Sequence, residues 1–316
     1  MGVISKFEKI ENELKIKGKI DIKLDKMKPY KWLALINAAI LLTILVLSGG
    51  ASDWGVIFLI IVIGSTVPFV MLYMSKWLAI KSHKIRVLTE STIDNDSEKD
   101  LFRIIKMLST RAGLDKVPDI GIYESDDINA FATGRNKENS LIAFSSKLMI
   151  EMDEDAIAAV AAHELAHIAN GDMITMTIVQ AIVNFIVIIV TVPINMVVRF
   201  AFSKNSGWLN TIIVWVVQFI VISIMLFLAN LIVNAFSRKR EFEADKLAST
   251  ILDTKRMIHA LESLNAQGNI SFQSEQESYA SFKICSPPAF LDIFSTHPTI
   301  TRRIAALQKF ESTQNA

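Results

Sequence analysis

The chain has 316 residues, of which 51% are hydrophobic and 21% are charged, and its net charge is +1. So small a net charge supplies no global field that would favour nucleic acid or an acidic partner. The single cysteine, Cys285, excludes an intrachain disulfide and a metal site built from several cysteines. The apolar residues are concentrated in long blocks, which indicates a chain that enters the lipid bilayer and carries a polar remainder.

The lysine-rich N-terminal segment, residues 1–31, precedes the first apolar block. It is too long and too charged for the n-region of a cleaved signal peptide, and attachment to anionic lipid accounts for its charge. Four apolar blocks each approach or exceed the ~20 residues that a helix needs to cross a bilayer. They are residues 32–47, 54–78, 174–202 and 209–236. Amides interrupt the last two blocks, so either these amides hydrogen-bond neighbouring helices or the helix ends extend into water.

Basic residues cluster at one end of each hairpin of apolar blocks. They precede the first block, follow the second at Lys81, Lys84 and Arg86, and follow the fourth at residues 238–240. By the positive-inside rule, both termini and both large polar regions face the cytoplasm of a multi-pass protein in the inner or plasma membrane. The expected organisation is a basic segment (1–31), a first transmembrane hairpin (32–78), a polar region (79–172), a second hairpin (173–236) and a second polar region (237–316).

The two polar regions are expected to form one α+β domain. A helix is predicted near residues 97–110, followed by strands at 119–123, 128–133 and 140–144 with a hairpin turn at 134–139. A helix over 153–170 has Asp153 as its N-cap and Gly171 as its stop. Further helices are predicted at 241–252, 255–266 and 300–310, with an irregular loop at 268–288. The predicted fold class is mainly α with a small β-sheet, comprising four transmembrane helices and a cytoplasmic α+β domain.

The predicted helix over 153–170 carries the pattern H-E-x-x-H at His163, Glu164 and His167. Residues four apart lie on one face of a helix, so both imidazoles can reach one Zn²⁺ at ~2.0–2.1 Å. Glu164 lies beside them and can take a proton from the attacking water and pass it to the leaving amine. The alternative is a pair of solvated or core histidines, but a carboxylate in so apolar a helix is costly to bury without a partner. The pattern therefore predicts a catalytic zinc site, which needs a third protein ligand.

The candidates for the third ligand are His259, His297 and the acidic residues that follow the fourth apolar block. Glu241 comes directly after the basic exit from the membrane, and a membrane hairpin returns the chain to the face that it left. Asp245 lies four residues further on, hence on the same helical face, where it could orient a ligand imidazole. A solvated acidic helix start paired with residues 238–240 accounts for the same pattern, so spacing alone leaves the third ligand open.

The runs HELAHIANGDM, SRKREFEAD and INAFATG together resemble the HtpX family of membrane zinc proteases, relatives of the type I CaaX prenyl protease. The resemblance extends from about residue 119 to the C-terminus and keeps the family's order of motifs. It implies a gluzincin-like site with one Zn²⁺ per chain, held by His163, His167 and Glu241, and Glu164 as the general base. The E-x-x-x-D motif of the family corresponds to Glu241 and Asp245.

The same resemblance implies a substrate-binding edge strand. It comprises Asn129, Ala130, Phe131 and Ala132, which would hold an extended peptide by β-augmentation with little sequence preference. An ordinary half-buried strand shows the same alternation of residues, so the pattern does not exclude a purely structural role.

Near the C-terminus, His297 and Arg303 correspond to family residues that lie over the active site. A donor there could stabilise the oxyanion of the tetrahedral intermediate, although a lone histidine before proline is also a common turn residue. The chain departs from the family at Thr299, where relatives often carry a second proline, and we expect this departure to loosen the turn.

The resemblance implies a membrane-embedded zinc endopeptidase that cleaves misfolded or damaged membrane proteins at the cytoplasmic face, in quality control and stress response. Its partners would be polypeptide substrates and the lipid bilayer. The alternatives are a CaaX-type processing protease and a non-catalytic zinc-binding membrane scaffold. Glu164 argues against the scaffold, because a structural site has no use for a general base. Four spans enclose too small a membrane chamber for the processing of prenylated peptides.

Overall fold

The computed structural model describes residues 6–17, 54–202, 207–276 and 297–314. The helices are α1 (Lys6–Lys17), α2 (Trp54–Ser82), α3 (Asp96–Arg111), α4 (Ser146–Glu151), α5 (Glu154–Asn170), α6 (Asp172–Phe202), α7 (Trp208–Ile251), α8 (Thr254–Gln276) and α9 (Ile300–Gln314). The strands are β1 (Arg86–Leu88), β2 (Asp119–Tyr123), β3 (Ala130–Asn136) and β4 (Asn139–Ser145). These residues fall into two compact units, one with α1, residues 73–173 and those from 238 onwards, the other with residues 54–72 and 174–237. The predicted mainly helical fold with a small sheet is confirmed, while the first apolar block, residues 32–47, lies outside the described residues.

The first unit contains a four-stranded mixed sheet in the order β1-β2-β4-β3. Strands β2 and β4 are parallel and the other two pairs are antiparallel, so β3 lies at an edge of the described sheet. The predicted turn at 134–139 is shorter than expected, because β3 continues through Gly134 to Asn136. Gly134 has φ +136° and lies at a register shift, and a Cβ there would come within 2.3 Å of the carbonyl oxygen of Asn139. Glycine avoids this clash and lets the strand continue through an irregularity.

Helix α5, which carries the HELAH run, packs against α1, α3, α8, β3 and β4. Its many alanines are buried, and their small side chains let these neighbours approach closely. Asp153 caps the N-terminus by accepting a hydrogen bond from the N–H of Ala156 at 2.9 Å, and Gly171 ends the helix with φ +71°. Lys137, from the β3–β4 turn, donates from Nζ to the carbonyl oxygen of Ala169 at 2.7 Å. The helix therefore begins and ends as its sequence predicts.

Helix α1 has a place in the fold that its lysine content did not predict. Phe7, Ile10 and Leu14 are only 5%, 1% and 2% exposed, because they pack against α3 and α5. The N–H of Phe7 donates to Oε2 of Glu154 at 2.8 Å, which anchors α1 to the first turn of the HELAH helix. Residues 6–17 are thus part of the core of the first unit.

Truncation of Leu14 to alanine is expected to lower the free energy of unfolding by ~2–5 kcal/mol, because it leaves a cavity in a packed core. The measurement is thermal unfolding of the detergent-solubilised protein followed by circular dichroism. Lys9→Ala, on the exposed face of the same helix, is the control and should change the free energy of unfolding by no more than about 0.5 kcal/mol. Equal effects of the two substitutions would contradict the packing of α1 against the core.

The second unit is dominated by the apolar helices α6 and α7. In the described part of the chain, these two helices are long and apolar enough to cross a membrane. Large apolar side chains lie exposed along them, among them Phe200, Trp215 and Phe219, which are 79%, 68% and 72% exposed. Apolar surface of this extent is stable against hydrocarbon and not against water, which indicates a membrane protein. Helix α2 covers the second predicted block, and its passage through the bilayer stays a prediction.

Two helices extend beyond their predicted ends. Helix α7 runs without interruption through the predicted junction near residue 237, so the expected separate helix at 241–252 is its C-terminal part. No proline or glycine occurs in α7, and nothing in the sequence therefore breaks it. Helix α8 continues to Gln276, ten residues past its predicted end at 266, because an isolated Gly268 costs only about 1 kcal/mol. The irregular loop predicted from 268 is thus wrong for residues 268–276, and its remainder lies outside the described residues.

Candidate metal centre

Three side chains of metal-ligand type converge in the first unit: His163 and His167 of α5, and Glu241 of α7. The Nε2 atoms of the two histidines are 3.1 Å apart. Each also lies 3.5 Å from a carboxylate oxygen of Glu241, which is Oε2 for His163 and Oε1 for His167. The three side chains are only 10%, 12% and 3% exposed, so water does little to stabilise their charged forms.

These separations fit a zinc ion. Ligands at ~2.0–2.1 Å from a tetrahedral Zn²⁺ are about 3.3 Å from one another. The observed separations of 3.1 and 3.5 Å bracket that value. Oε2 of Glu241 is buried without an aligned hydrogen bond. Two imidazoles and a carboxylate form the ligand set of many catalytic zinc sites, in which a fourth position remains for water or substrate.

A carboxylate holds each imidazole from the side opposite the candidate metal position. Nδ1 of His163 lies 3.0 Å from Oδ1 of Asp245, and Nδ1 of His167 lies 2.6 Å from Oδ2 of Asp172. An imidazole that donates its Nδ1–H to a carboxylate keeps the lone pair of Nε2 as an acceptor. The two Nε2 atoms and the Glu241 carboxylate therefore face one another over short distances, where a metal ion can take the place of the Nε2 protons.

Arg303 lies behind His163 and binds Asp245 with two nitrogens. Nε and Nη2 donate to Oδ2 and Oδ1 of Asp245 at 2.8 and 2.6 Å, and the third nitrogen, Nη1, lies 3.7 Å from Oε2 of Glu241. Burial alone would raise the pKa of Asp245, but the hydrogen bonds from Arg303 and His163 outweigh it and hold that pKa below its ordinary value. Two of its three guanidinium nitrogens therefore hold a carboxylate, and a role of Arg303 in stabilising the oxyanion stays a prediction.

Glu164 lies next to the two histidines and is only 9% exposed. Burial, with the nearby charge of Glu241, raises the pKa of its carboxyl, while the imidazoles and a hydrogen bond from the backbone N–H of Ala132 act in the opposite direction. A carboxyl group with a raised pKa can accept a proton and return it near neutral pH.

The remaining candidates divide into one that joins the site and two that do not. Nδ1 of His297 lies 3.0 Å from Oε2 of Glu241, with its side chain 64% exposed, so it borders the site from the solvent side. His259 instead pairs with Asp153 at 2.8 Å, at the opposite end of α5. Glu243 is 57% exposed and lies 3.8 Å from Lys239 on the surface of α7. Of the alternatives that the sequence left open, His259 and Glu243 therefore lie away from the two imidazoles, while His297 lies beside Glu241.

Strand β3, with Asn129 directly before it, lies next to α5, and one of its edges has no strand partner among the described residues. The N–H of Ser145 donates to the carbonyl oxygen of Asn129 at 2.9 Å, and Phe131 and Ala143 are paired two residues further along. Because hydrogen-bonded and non-bonded pairs alternate in an antiparallel ladder, the N–H and C=O groups of Ala130 and Ala132 point to the open edge. The contact between Ala132 and Glu164 agrees with this alternation.

Sequence reasoning missed Asp172 as the partner of His167. The residue stands five positions after His167, beyond the predicted end of the helix, where helical spacing gives no reason to expect contact. The left-handed backbone at Gly171, with φ +71°, turns the chain so that the Asp172 carboxylate comes back to the last turn of α5. The signal that could have revealed it was the glycine stop followed directly by an acid.

The affinity of this site for zinc is expected to fall as the pH is lowered from about 8 to about 6. In the metal-free protein burial lowers the pKa of His167, but hydrogen bonds to Asp172 and Glu241 outweigh burial and raise it to about 10. The imidazole therefore holds its proton at every pH below that value, and a metal ion must displace it. Each displaced proton should weaken apparent binding about tenfold per pH unit, measured by competition with a chelator. An affinity independent of pH would contradict this arrangement.

Comparison with known proteins identifies the family of the chain. Residues 95–311 match the family model described as peptidase family M48. The protease HtpX homolog of Bacillus licheniformis is 42% identical over 250 residues, which are 78% of this chain and 82% of the relative. Protease HtpX of Haemophilus ducreyi is 37% identical over 260 residues, 82% of this chain and 88% of the relative.

Among solved structures, Ste24p of S. mikatae superposes with a TM-score of 0.57 at 20% identity, over 88% of this chain. The chain spans only 64% of the length of that structure, and the similarity concerns the fold. The chain belongs to peptidase family M48 and is a metalloprotease. The resemblance to HtpX read from the three motifs is confirmed.

Proposed function

We propose that this protein is a zinc-dependent endopeptidase that cleaves membrane proteins at the cytoplasmic membrane surface. The observation that carries the proposal is the convergence of His163, His167 and Glu241. The two Nε2 atoms are 3.1 Å apart, and each lies 3.5 Å from a carboxylate oxygen of Glu241. The position of Glu164 beside this centre supports catalysis over a purely structural metal site.

The three converging side chains would hold Zn²⁺, which when bound lowers the pKa of water towards ~7 and polarises the scissile carbonyl. Glu164 accepts the proton of the attacking water, and its raised pKa allows it to pass that proton to the leaving amine. Asp245 and Asp172 keep the Nδ1 atoms of the two imidazoles protonated, so that each Nε2 stays an acceptor.

The substrate binds as an extended strand along the open edge of β3. The outward-facing N–H and C=O of Ala130 and the C=O of Ala132 supply main-chain hydrogen bonds, which is how a peptide joins a sheet edge. The contact between the N–H of Ala132 and Glu164 brings this edge next to the proposed general base. Asn129 directly precedes this edge, and its own backbone N–H and C=O both bond Ser145. Main-chain recognition of this kind gives little sequence preference.

His297 is proposed to stabilise the oxyanion of the tetrahedral intermediate. Its exposed ring borders Glu241 from the solvent side, where a bound peptide would arrive. Arg303 acts through Asp245 and His163, since two of its nitrogens are bound to that carboxylate.

The location of the substrate follows from the order of the chain. Helix α6 begins at Asp172, two residues after the ligand helix ends, and α7 delivers Glu241 after the apolar segment 174–237. Four spans with both termini and the catalytic domain in the cytoplasm, as the basic residues predict, would put the site close to the inner membrane surface. Misfolded or damaged membrane proteins are the substrates that such a position favours, in quality control and stress response.

The test uses the full-length protein in detergent with a defined multispanning membrane protein as substrate. Activity should be lost after treatment with a chelator and restored by one equivalent of zinc. A prenylated peptide and an unfolded soluble protein are offered in parallel. Faster cleavage of the prenylated peptide would favour CaaX-type processing, and no zinc-dependent cleavage of any of the three would favour a non-catalytic scaffold.

A further inference from the structure

Asp172 contacts two residues at once, the candidate ligand His167 and Arg240. One carboxylate oxygen, Oδ2, lies 2.6 Å from Nδ1 of His167, while Oδ1 lies 3.4 Å from Nε of Arg240. Nη1 of Arg240 also donates to the backbone carbonyl oxygen of Asp172 at 3.5 Å. The two side chains are 7% and 16% exposed, so the ion pair is largely shielded from water. Arg240 thus contacts both the side chain and the backbone of Asp172.

The other imidazole has a similar arrangement with shorter contacts, since the 3.4 Å ion pair of Arg240 with Asp172 has no aligned hydrogen bond from Nε. Asp245 contacts Nδ1 of His163, and Arg303 binds Asp245 through two nitrogens. Each imidazole of the candidate centre therefore contacts an aspartate, and each of these aspartates contacts an arginine. Since the motif resemblance assigned a role only to Asp245, the chain from His167 to Arg240 is an addition from the structure.

Asp172 and Arg240 also lie at the two ends of the apolar segment of the chain. Asp172 is the first residue of α6, and Arg240 lies in α7 directly before Glu241. The segment between them contributes residues 174–237 to the apolar unit, while both of these residues belong to the first unit. The pair therefore joins the two ends of the apolar segment at the position of His167 and Glu241.

We propose that Asp172 and Arg240 form a positioning pair for His167, an inference that rests on the proposed metal centre. Asp172 fixes the tautomer and the ring orientation of His167, with Nε2 directed at Glu241. Arg240 fixes Asp172, so that the strength of metal binding depends on the two ends of segment 174–237 staying together. If the pair served only to hold the two ends of segment 174–237 together, its loss would lower folding stability without changing the affinity for metal.

The test compares Asp172→Asn, Arg240→Gln and the double variant with the wild-type protein, all full length in detergent. Dissociation constants for Zn²⁺ are measured by competition with a chelator, and Co²⁺ absorption spectra report the geometry of the centre. Asp172→Asn should weaken zinc binding roughly 10–100-fold, the usual effect of losing a residue that orients a ligand. Arg240→Gln should weaken it less. The double variant should bind like Asp172→Asn alone, because Arg240 acts through Asp172.

Lys239→Gln is the matched control, since it removes the adjacent positive charge from an exposed pair with Glu243. It should bind zinc like the wild-type protein. Unfolding of the metal-free proteins is followed as well: variants that lose stability but keep the wild-type zinc affinity and Co²⁺ spectrum would overturn the positioning role. Additive losses in the double variant would overturn the link through Arg240. Peptidase activity of the wild-type protein is assayed separately, so failure of the proposed function appears in a different measurement.

Discussion

Replacement of Glu164 by glutamine is expected to lower kcat by roughly 10²–10⁴-fold, the usual contribution of general acid–base catalysis. Glutamine keeps the size of the side chain and can still accept a hydrogen bond from Ala132, but it cannot take a proton from water. The buried position of Glu164 and the direction of its pKa shift make it the carboxyl group best suited to this transfer. The zinc content should remain that of the wild-type protein, because Glu164 is not one of the three converging ligand groups.

The measurement is the initial rate of cleavage of the multispanning substrate at saturating concentration, with zinc content determined on the same preparation. Glu243→Gln serves as the control, because Glu243 is an exposed acid two residues from a proposed ligand. Equal rates for Glu164→Gln and wild type would show that another group acts as the base. A Glu164→Gln variant that loses zinc would instead place Glu164 among the ligands.

Replacement of Glu241 by alanine is expected to weaken zinc binding by more than the ~10–100-fold that loss of an orienting residue costs. Glu241 is 2% exposed, and its two oxygens face one imidazole each at 3.5 Å. Alanine would leave only two protein ligands, whereas catalytic zinc sites commonly use three. Activity should fall with the zinc content and recover only in part at high zinc concentration.

Glu243→Ala is the matched variant for this prediction, because it removes a carboxylate from the same helix without approaching the histidines. Both variants are dialysed against a weak chelator and their bound zinc is measured by atomic absorption. Retention of stoichiometric zinc by Glu241→Ala, with loss in Glu243→Ala, would overturn the choice of the third ligand. The His163 and His167 positions are unaffected by that outcome, since they share one face of α5 in either case.

The parts of the site that lie within one helix could be predicted from the sequence, because caps and spacing are local. Asp153, Gly171 and the four-residue interval between His163 and His167 determine where α5 begins, where it ends and which face carries the imidazoles. The approach of Glu241 depends on how a distant segment returns, which spacing alone left open. The motif resemblance pointed to Glu241, and the structure agrees in that His259 lies at the other end of α5.

Helix α1 shows a different reason for a missed element. Phe7, Ile10 and Leu14 stand at helical spacing in the sequence, and this pattern predicts an amphipathic helix. The many lysines in residues 1–31 instead suggested attachment to a charged lipid surface. Composition describes an average over the segment, whereas packing depends on which few positions face the core.

The contact between Lys137 and the carbonyl oxygen of Ala169 has a practical consequence for engineering this protein. The tip of a surface hairpin is ordinarily a favoured place to insert an epitope or a fluorophore. Here the β3–β4 turn also caps the C-terminal turn of α5, so an insertion at 137–138 would disturb the helix that bears both histidines. Labels intended to leave the enzyme active are better placed at Gly207, where a Cβ would meet no atom within 4 Å.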